Sequence, residues 1–175
     1  GAALEVTYLF AAFSICSFLS TPMLGALSDR IGRRPILIVS IASTAIGWFV
    51  FASASSLLFL FIGRIIDGLA AGNFSTAQSY LVDISKDDKD RTNNLGLVGS
   101  MFGIGFVVGP MLGGLLGTIS PSFPFWTAGV LATINMIMAI LFLPETNKTR
   151  NLSKMSFNPF IPIISAIKNK KLFPY

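Results

Sequence analysis

The chain has 175 residues, of which 53% are hydrophobic and 12% charged. An average soluble domain carries about 25% charged residues, so a soluble globular fold is a poor fit. The net charge of +5 does not point to nucleic acid, because the charges sit in short clusters between long apolar runs and not along one face. The sequence contains no His and one cysteine, Cys16, which excludes His-based proton chemistry, an intrachain disulfide and a cysteine-built metal site.

A helix that crosses a bilayer needs roughly 20 mostly apolar residues. The stretch between Glu5 and Asp29 is uncharged and predicts a first span over 6–27. Between Arg34 and Asp83 only Arg64 and Asp67 are charged. That length holds two spans, 35–53 and 57–81, turning at Ser53-Ala54-Ser55-Ser56. Between Arg91 and Glu145 there is no charge at all, which predicts spans over 95–117 and 125–143 with a Ser/Pro turn at Ser120-Pro121-Ser122-Phe123-Pro124. The expected fold class is therefore all-α, a polytopic transmembrane helix bundle of five spans over 1–143, since helices satisfy their own polar backbone in lipid. Residues 144–171 read as a polar connecting loop with a segment suited to the membrane surface. Residues 172–175 read as the start of a further span. The chain opens on Gly1 without a cleavable signal peptide, and the expectation is a piece of a longer protein.

The positive charges test this count. Twelve of the thirteen Lys and Arg fall within 28–34, 83–94 and 145–171, and the thirteenth is Arg64. Those three loops share one side if five helices alternate, and an excess of Lys and Arg marks the cytoplasmic side. The opposite loops carry none.

Thr21-Pro22-Met23-Leu24-Gly25-Ala26-Leu27 resembles Gly109-Pro110-Met111-Leu112-Gly113-Gly114-Leu115 at an offset of 88, with five of seven positions identical. The copies lie three spans apart and so end on opposite sides. Inverted repeats of three helices are a building plan of secondary transporters. The alternative is coincidence among Gly- and Leu-rich helices.

Arg64 and Asp67 are the charges that the bilayer makes costly, and such residues usually face a cavity or a partner. Three positions apart, they share one helix face. Asn73, Ser75, Thr76, Gln78 and Ser79 continue a polar side of the same span, so this span is expected to line a cavity. The alternative is an ion pair that only fixes packing. Gly25 to Pro35 is a tight charged hairpin in which Asp29, Arg30, Gly32, Arg33 and Arg34 explain more than simple topogenic charge. Along 95–117, Gly105, Gly109, Gly113 and Gly117 recur every four residues, with Gly114 beside them. They give a smooth face for close helix approach, and Pro110 permits a bend. No metal, nucleophile-elbow or phosphate-loop signature is present, so no enzyme and no cofactor are expected.

These motifs resemble the major facilitator superfamily. Gly25-x-Leu27-x-Asp29-Arg30-x-Gly32-Arg33-Arg34 is similar to the family's loop between its second and third helices. Arg64-x-x-Asp67-Gly68 is similar to its fourth-helix motif, with Asp67 where Gln is usual. Gly105-x-x-x-Gly109-Pro110-x-x-Gly113-Gly114 resembles the fifth-helix motif of antiporters, and Pro144-Glu145-Thr146 the end of the sixth helix. The wording Ala26-Leu-Ser-Asp-Arg with Gly63-Arg-Ile-Ile is similar to the tetracycline-resistance-type drug/proton antiporters. The resemblance implies helices two to six of an N-terminal half, whose partner is a C-terminal half absent from this chain. It implies proton-coupled efflux of small amphipathic compounds across a bacterial inner membrane, with Arg64 and Asp67, and with them Asn73 and Gln78, in coupling or the cavity. Asp29, Arg33 and Asp83 would form a cytoplasmic lock, and Gly109 and Pro110 a leak-limiting bend. The alternatives are a nutrient facilitator or symporter and, from another class, a receptor or assembly subunit without transport.

Overall fold

The computed structural model describes residues 2–147, with side chains from Leu4 onward. Six α-helices follow one another: α1 (Ala2–Ile31), α2 (Arg33–Ala52), α3 (Leu57–Ala70), α4 (Asn73–Ile84), α5 (Asp88–Gly117) and α6 (Phe123–Phe142). No strand occurs among the described residues. Five helical segments are long and apolar enough to cross a membrane, α3 and α4 together forming the third, Leu57–Ile84. The stretches 148–171 and 172–175, read above as a loop with a surface segment and the start of a span, lie outside the described residues.

The helix ends differ from the hydropathy limits for a physical reason. Hydropathy marks where lipid stops, whereas a helix continues into water if its end is capped. Asp87 caps α5 by accepting the Asp90 N–H at 2.7 Å, so α5 begins at Asp88 and not near residue 95. Its 30 residues span about 45 Å at 1.5 Å per residue, more than a hydrocarbon core of about 30 Å. Pro124 sits in the first turn of α6, where its missing N–H costs nothing.

The third span, expected as one helix, breaks at Ala71 and Gly72. The Ala71 N–H turns to the Gly68 carbonyl at 3.2 Å, a three-residue step in place of four. Beyond the break, the Gly72 carbonyl accepts the Thr76 N–H and the hydroxyls of Thr76 (3.0 Å) and Ser75 (3.3 Å). The sequence is locally rich in residues that can satisfy a loosened backbone without water.

Helix α2 occupies the centre, packing most extensively on α3 and α6 and also touching α1 and α4. Its approach to α3 depends on two facing glycines. A methyl built on Gly63 would lie 3.0 Å from the Gly47 carbonyl oxygen, and one on Gly47 would lie 3.1 Å from the Gly63 carbonyl oxygen. Small residues at such a crossing let the backbones meet. Phe106, Leu141 and Phe142 are more than two-thirds exposed, an outer surface suited to lipid and not to water.

Helix α5 is the outlier. It leans on α4 and α6, and none of its residues is buried. The expected close approach on its small face is not made here: methyls added at Gly105, Gly109, Gly113, Gly114 or Gly117 would meet nothing within 4 Å. The helix runs unbroken through Pro110.

Replacing Gly63 by Val should separate α2 from α3 and lower stability by about 1–3 kcal/mol, the usual cost of overpacking. Thermal unfolding of the detergent-solubilised protein checks this.

Candidate functional site

Two clusters emerge, one at the charged end of the bundle and one halfway along the third span. The first is built by the ends of four helical segments. The α1–α2 connection is a single residue, Gly32, at φ +127°, a conformation that L side chains rarely adopt. This sharp reversal points the first turn of α2 at the end of α4. Arg33 is nearly buried, with 13% of its side chain exposed. Its Nη1 pairs with Asp29 and donates to Ser28 Oγ at 2.8 Å, while its Nε donates to Asp83 Oδ2 at 3.1 Å. One planar guanidinium thus ties α1, α2 and α4, a task its fixed fork of donors suits better than the point charge of a lysine.

The strand-like segment after α6 completes this cluster. Glu145 accepts the backbone N–H of Arg33 at 2.9 Å and of Arg34 at 3.2 Å. The first turn of α2 has no acidic residue and no side-chain cap of its own, and a carboxylate from over a hundred positions away supplies both. Thr146 reaches Asp83 at 3.4 Å, and Asn147 donates to the carbonyl of Asp29 at 2.7 Å. Gly32 matters twice: a side chain there would be strained by the backbone angle and would collide with the Glu145 carboxylate. Arg34 donates to the Ile140 carbonyl at 2.6 Å, anchoring α6. Arg30 lies in the last turn of α1, where a cation complements the helix end. Gly25 lies against Ser75 of α4, at an ordinary contact distance for an added methyl, 3.9 Å.

The second cluster centres on Arg64 and Asp67 of α3, 3.7 Å apart. The Arg64 guanidinium lies over two rings of α2, with Cζ 4.9 Å from the Trp48 centroid and 4.6 Å from that of Phe51. Trp48 is in turn stacked on Phe125 of α6 at 5.9 Å and 8°. Asp67 lines a cavity of about 490 Å³ together with Thr44, Asn73, Ser17 and Thr21. Gln78 does not share this cavity. It lines a second one, with Ser79, Arg33, Asp83 and Arg91, at the charged end, since it lies further along α4 than Asn73, which reaches the Asp67 cavity. Gly105, Gly109, Pro110, Gly113 and Gly114 enter neither cluster.

The sequence reading passed over Glu145 as a cap, and over Trp48, Phe51 and Thr44. Pro144-Glu145-Thr146 was visible as a helix-ending motif, but nothing local says that its acid returns to α2. Trp48 and Phe51, three apart on an apolar helix, read as lipid-facing until the fold turns them onto Arg64.

The family model described as Major Facilitator Superfamily matches residues 1–174. The chain belongs to that superfamily. Within it, this chain is 39% identical over 153 residues to the class C tetracycline resistance protein of Escherichia coli, covering 86% of this chain and 38% of that protein. It is also 39% identical over 144 residues to the class H tetracycline resistance protein of Pasteurella multocida, covering 82% and 36%. Among solved structures, the human organic anion transporter MFSD10 (TETRAN) superposes with a TM-score of 0.74 at 30% identity, over 81% of this chain and 33% of that one. The chain thus spans a little over a third of the length of the curated relatives it matches. Family and fold make it a multi-pass membrane segment of a transporter superfamily.

Glu145→Ala should lower stability by about 1–2 kcal/mol, the usual cost of a lost N-cap, and Glu145→Gln by less, since an amide oxygen still accepts. Gly32→Ala should cost at least as much as Glu145→Ala, through backbone strain of about 1–3 kcal/mol and through displacement of Glu145. Thermal unfolding of the three variants in detergent reads both effects.

Proposed function

We propose that this chain is part of a proton-coupled antiporter that expels small amphipathic compounds by alternating access. The observation that carries the reading is the Arg64–Asp67 pair sunk in the third span beside a polar-walled cavity. A scaffold has no use for so costly a pair. With no His in the chain, Asp67 is the carboxylate among the residues lining that cavity and the group we assign to carry the proton. The relatives named as tetracycline resistance proteins support a drug-like substrate, and the relative named as an organic anion transporter supports an organic ion.

In this reading the charged end faces the cytoplasm of a bacterial cell, following the distribution of Lys and Arg. Asp29, Arg33, Asp83 and Glu145 form the latch that holds the helix ends together in one state and loosens in the other. Arg30 and Arg34 fix orientation. Gly105, Gly109, Gly113, Gly114 and Pro110 give α5 a smooth, bendable face on which the second half of the protein closes and limits leak. Asn73 supplies a neutral polar contact to substrate, and Gln78 acts at the charged end near the latch.

The test uses the complete protein that contains this segment, in everted vesicles. Arg64→Ala and Asp67→Asn should each reduce proton-driven uptake by at least about tenfold, the effect of roughly 1.4 kcal/mol on the limiting barrier, while insertion is unchanged. Full proton-driven uptake in both variants overturns the reading. Retention of counterflow without any proton dependence in the parent protein would make it a facilitator.

A further inference from the structure

We infer that the cavity beside Asp67 selects cationic, aromatic-bearing amphiphiles and that Asp67 is the residue that sets this charge preference. The assignment rests on the transporter reading above and adds the sign of the substrate's charge.

The two members of the ion pair are not equivalent toward the cavity. Asp67 lines it and Arg64 does not. Arg64 is held by the faces of Trp48 and Phe51, at 4.9 and 4.6 Å, distances at which a desolvated guanidinium is well stabilised. Its separation from Asp67, 3.7 Å, is too long for a hydrogen bond. The forked, two-bond pairing that would consume both carboxylate oxygens is therefore absent. The neutral Thr44 side chain lines the cavity beside Asp67. A carboxylate offers about four acceptor sites, so capacity remains for a group inside the cavity.

The rest of the wall agrees in sign. Phe13, Trp48 and Phe74 present aromatic surface, and Ser17, Thr21 and Asn73 are neutral. Among the described lining residues there is no Lys or Arg. A bound cation meets one carboxylate and aromatic side chains. A bound anion meets the same carboxylate, in surroundings that screen charge poorly, and the nearby Arg64, 3.7 Å from that carboxylate, is not among the lining residues. The volume, about 490 Å³, is in the range of drug-sized sites. The structural relative is named for organic anions, so the sign of the preferred charge is the property to be tested.

Tetraphenylphosphonium and tetraphenylborate share one shape and differ in charge, which makes them the probes. Their saturable binding is measured on the detergent-solubilised complete protein, against matched empty detergent. The cation should bind at least about tenfold more tightly than the anion, a difference of about 1.4 kcal/mol. Asp67→Asn should weaken the cation by a similar factor and leave the anion little changed, while Asp67→Glu, which keeps the charge, should restore most of the affinity and serve as the folding control. Equal or tighter binding of the anion, unchanged cation binding in Asp67→Asn, or binding of neither ion overturns the inference. Absence of proton-driven uptake by the parent protein with an intact cation preference would instead strike the transport reading, and proton-driven uptake by the parent without the cation preference would strike only this one.

Discussion

Hydrocarbon solvates a charged side chain poorly, so an ionic group at membrane depth persists only where the protein itself replaces water. Arg64 shows how far that replacement goes. Its carboxylate neighbour stands 3.7 Å away, and two aromatic rings of α2 also lie against it, one of them stacked on a ring of α6. Three helices thus converge on a single guanidinium. The glycine pair that brings α2 against α3 is what allows that convergence, because a wider crossing would leave Arg64 beyond the reach of Trp48. Packing and electrostatics are one arrangement at this point.

At the charged end the same rule operates with more partners and less lipid. Arg33 divides its donors among Ser28, Asp29 and Asp83, and Glu145 supplies the acceptor that α2 lacks in its own first turn. The charged side chains of these ion pairs are partly exposed, so no single pair is worth much by itself. The cluster gains weight because its members belong to different helical segments and because one positive-φ glycine leaves space for the carboxylate. A set of individually weak bonds between rigid elements suits a contact that must open and reform.

Much of this was legible in the residues. Apolar run lengths and the confinement of Lys and Arg to alternate loops fixed the number of spans, since lipid imposes both patterns directly. The spacing of Arg64 and Asp67 implied their proximity, and Asp29, Arg33 and Asp83 stood out through motifs. What stayed hidden depends on long-range geometry. Glu145 meets Arg33 across 112 positions, and no local pattern encodes that return. The break at Ala71–Gly72 was obscured by a run that remains helical in propensity on both sides, and Gln78, further along α4 than Asn73, lines a different cavity from Asp67. The small face of α5 was visible, but its bearing surface is not among the described residues.

The capping of α2 by Glu145 has a consequence for biosynthesis. Ribosomes deliver a chain from its N-terminus, so the reversal at Gly32 enters the bilayer interface long before the carboxylate that satisfies it has been made. Until α6 has been inserted, the leading N–H groups of α2 must rely on water or headgroup phosphates at the interface. The hairpin of α1 and α2 is therefore provisional at first and becomes fixed only when the end of the sixth helical segment returns to it. The clasp on the first turn of α2 comes from the segment after α6, so a chain arrested before Glu145 lacks it.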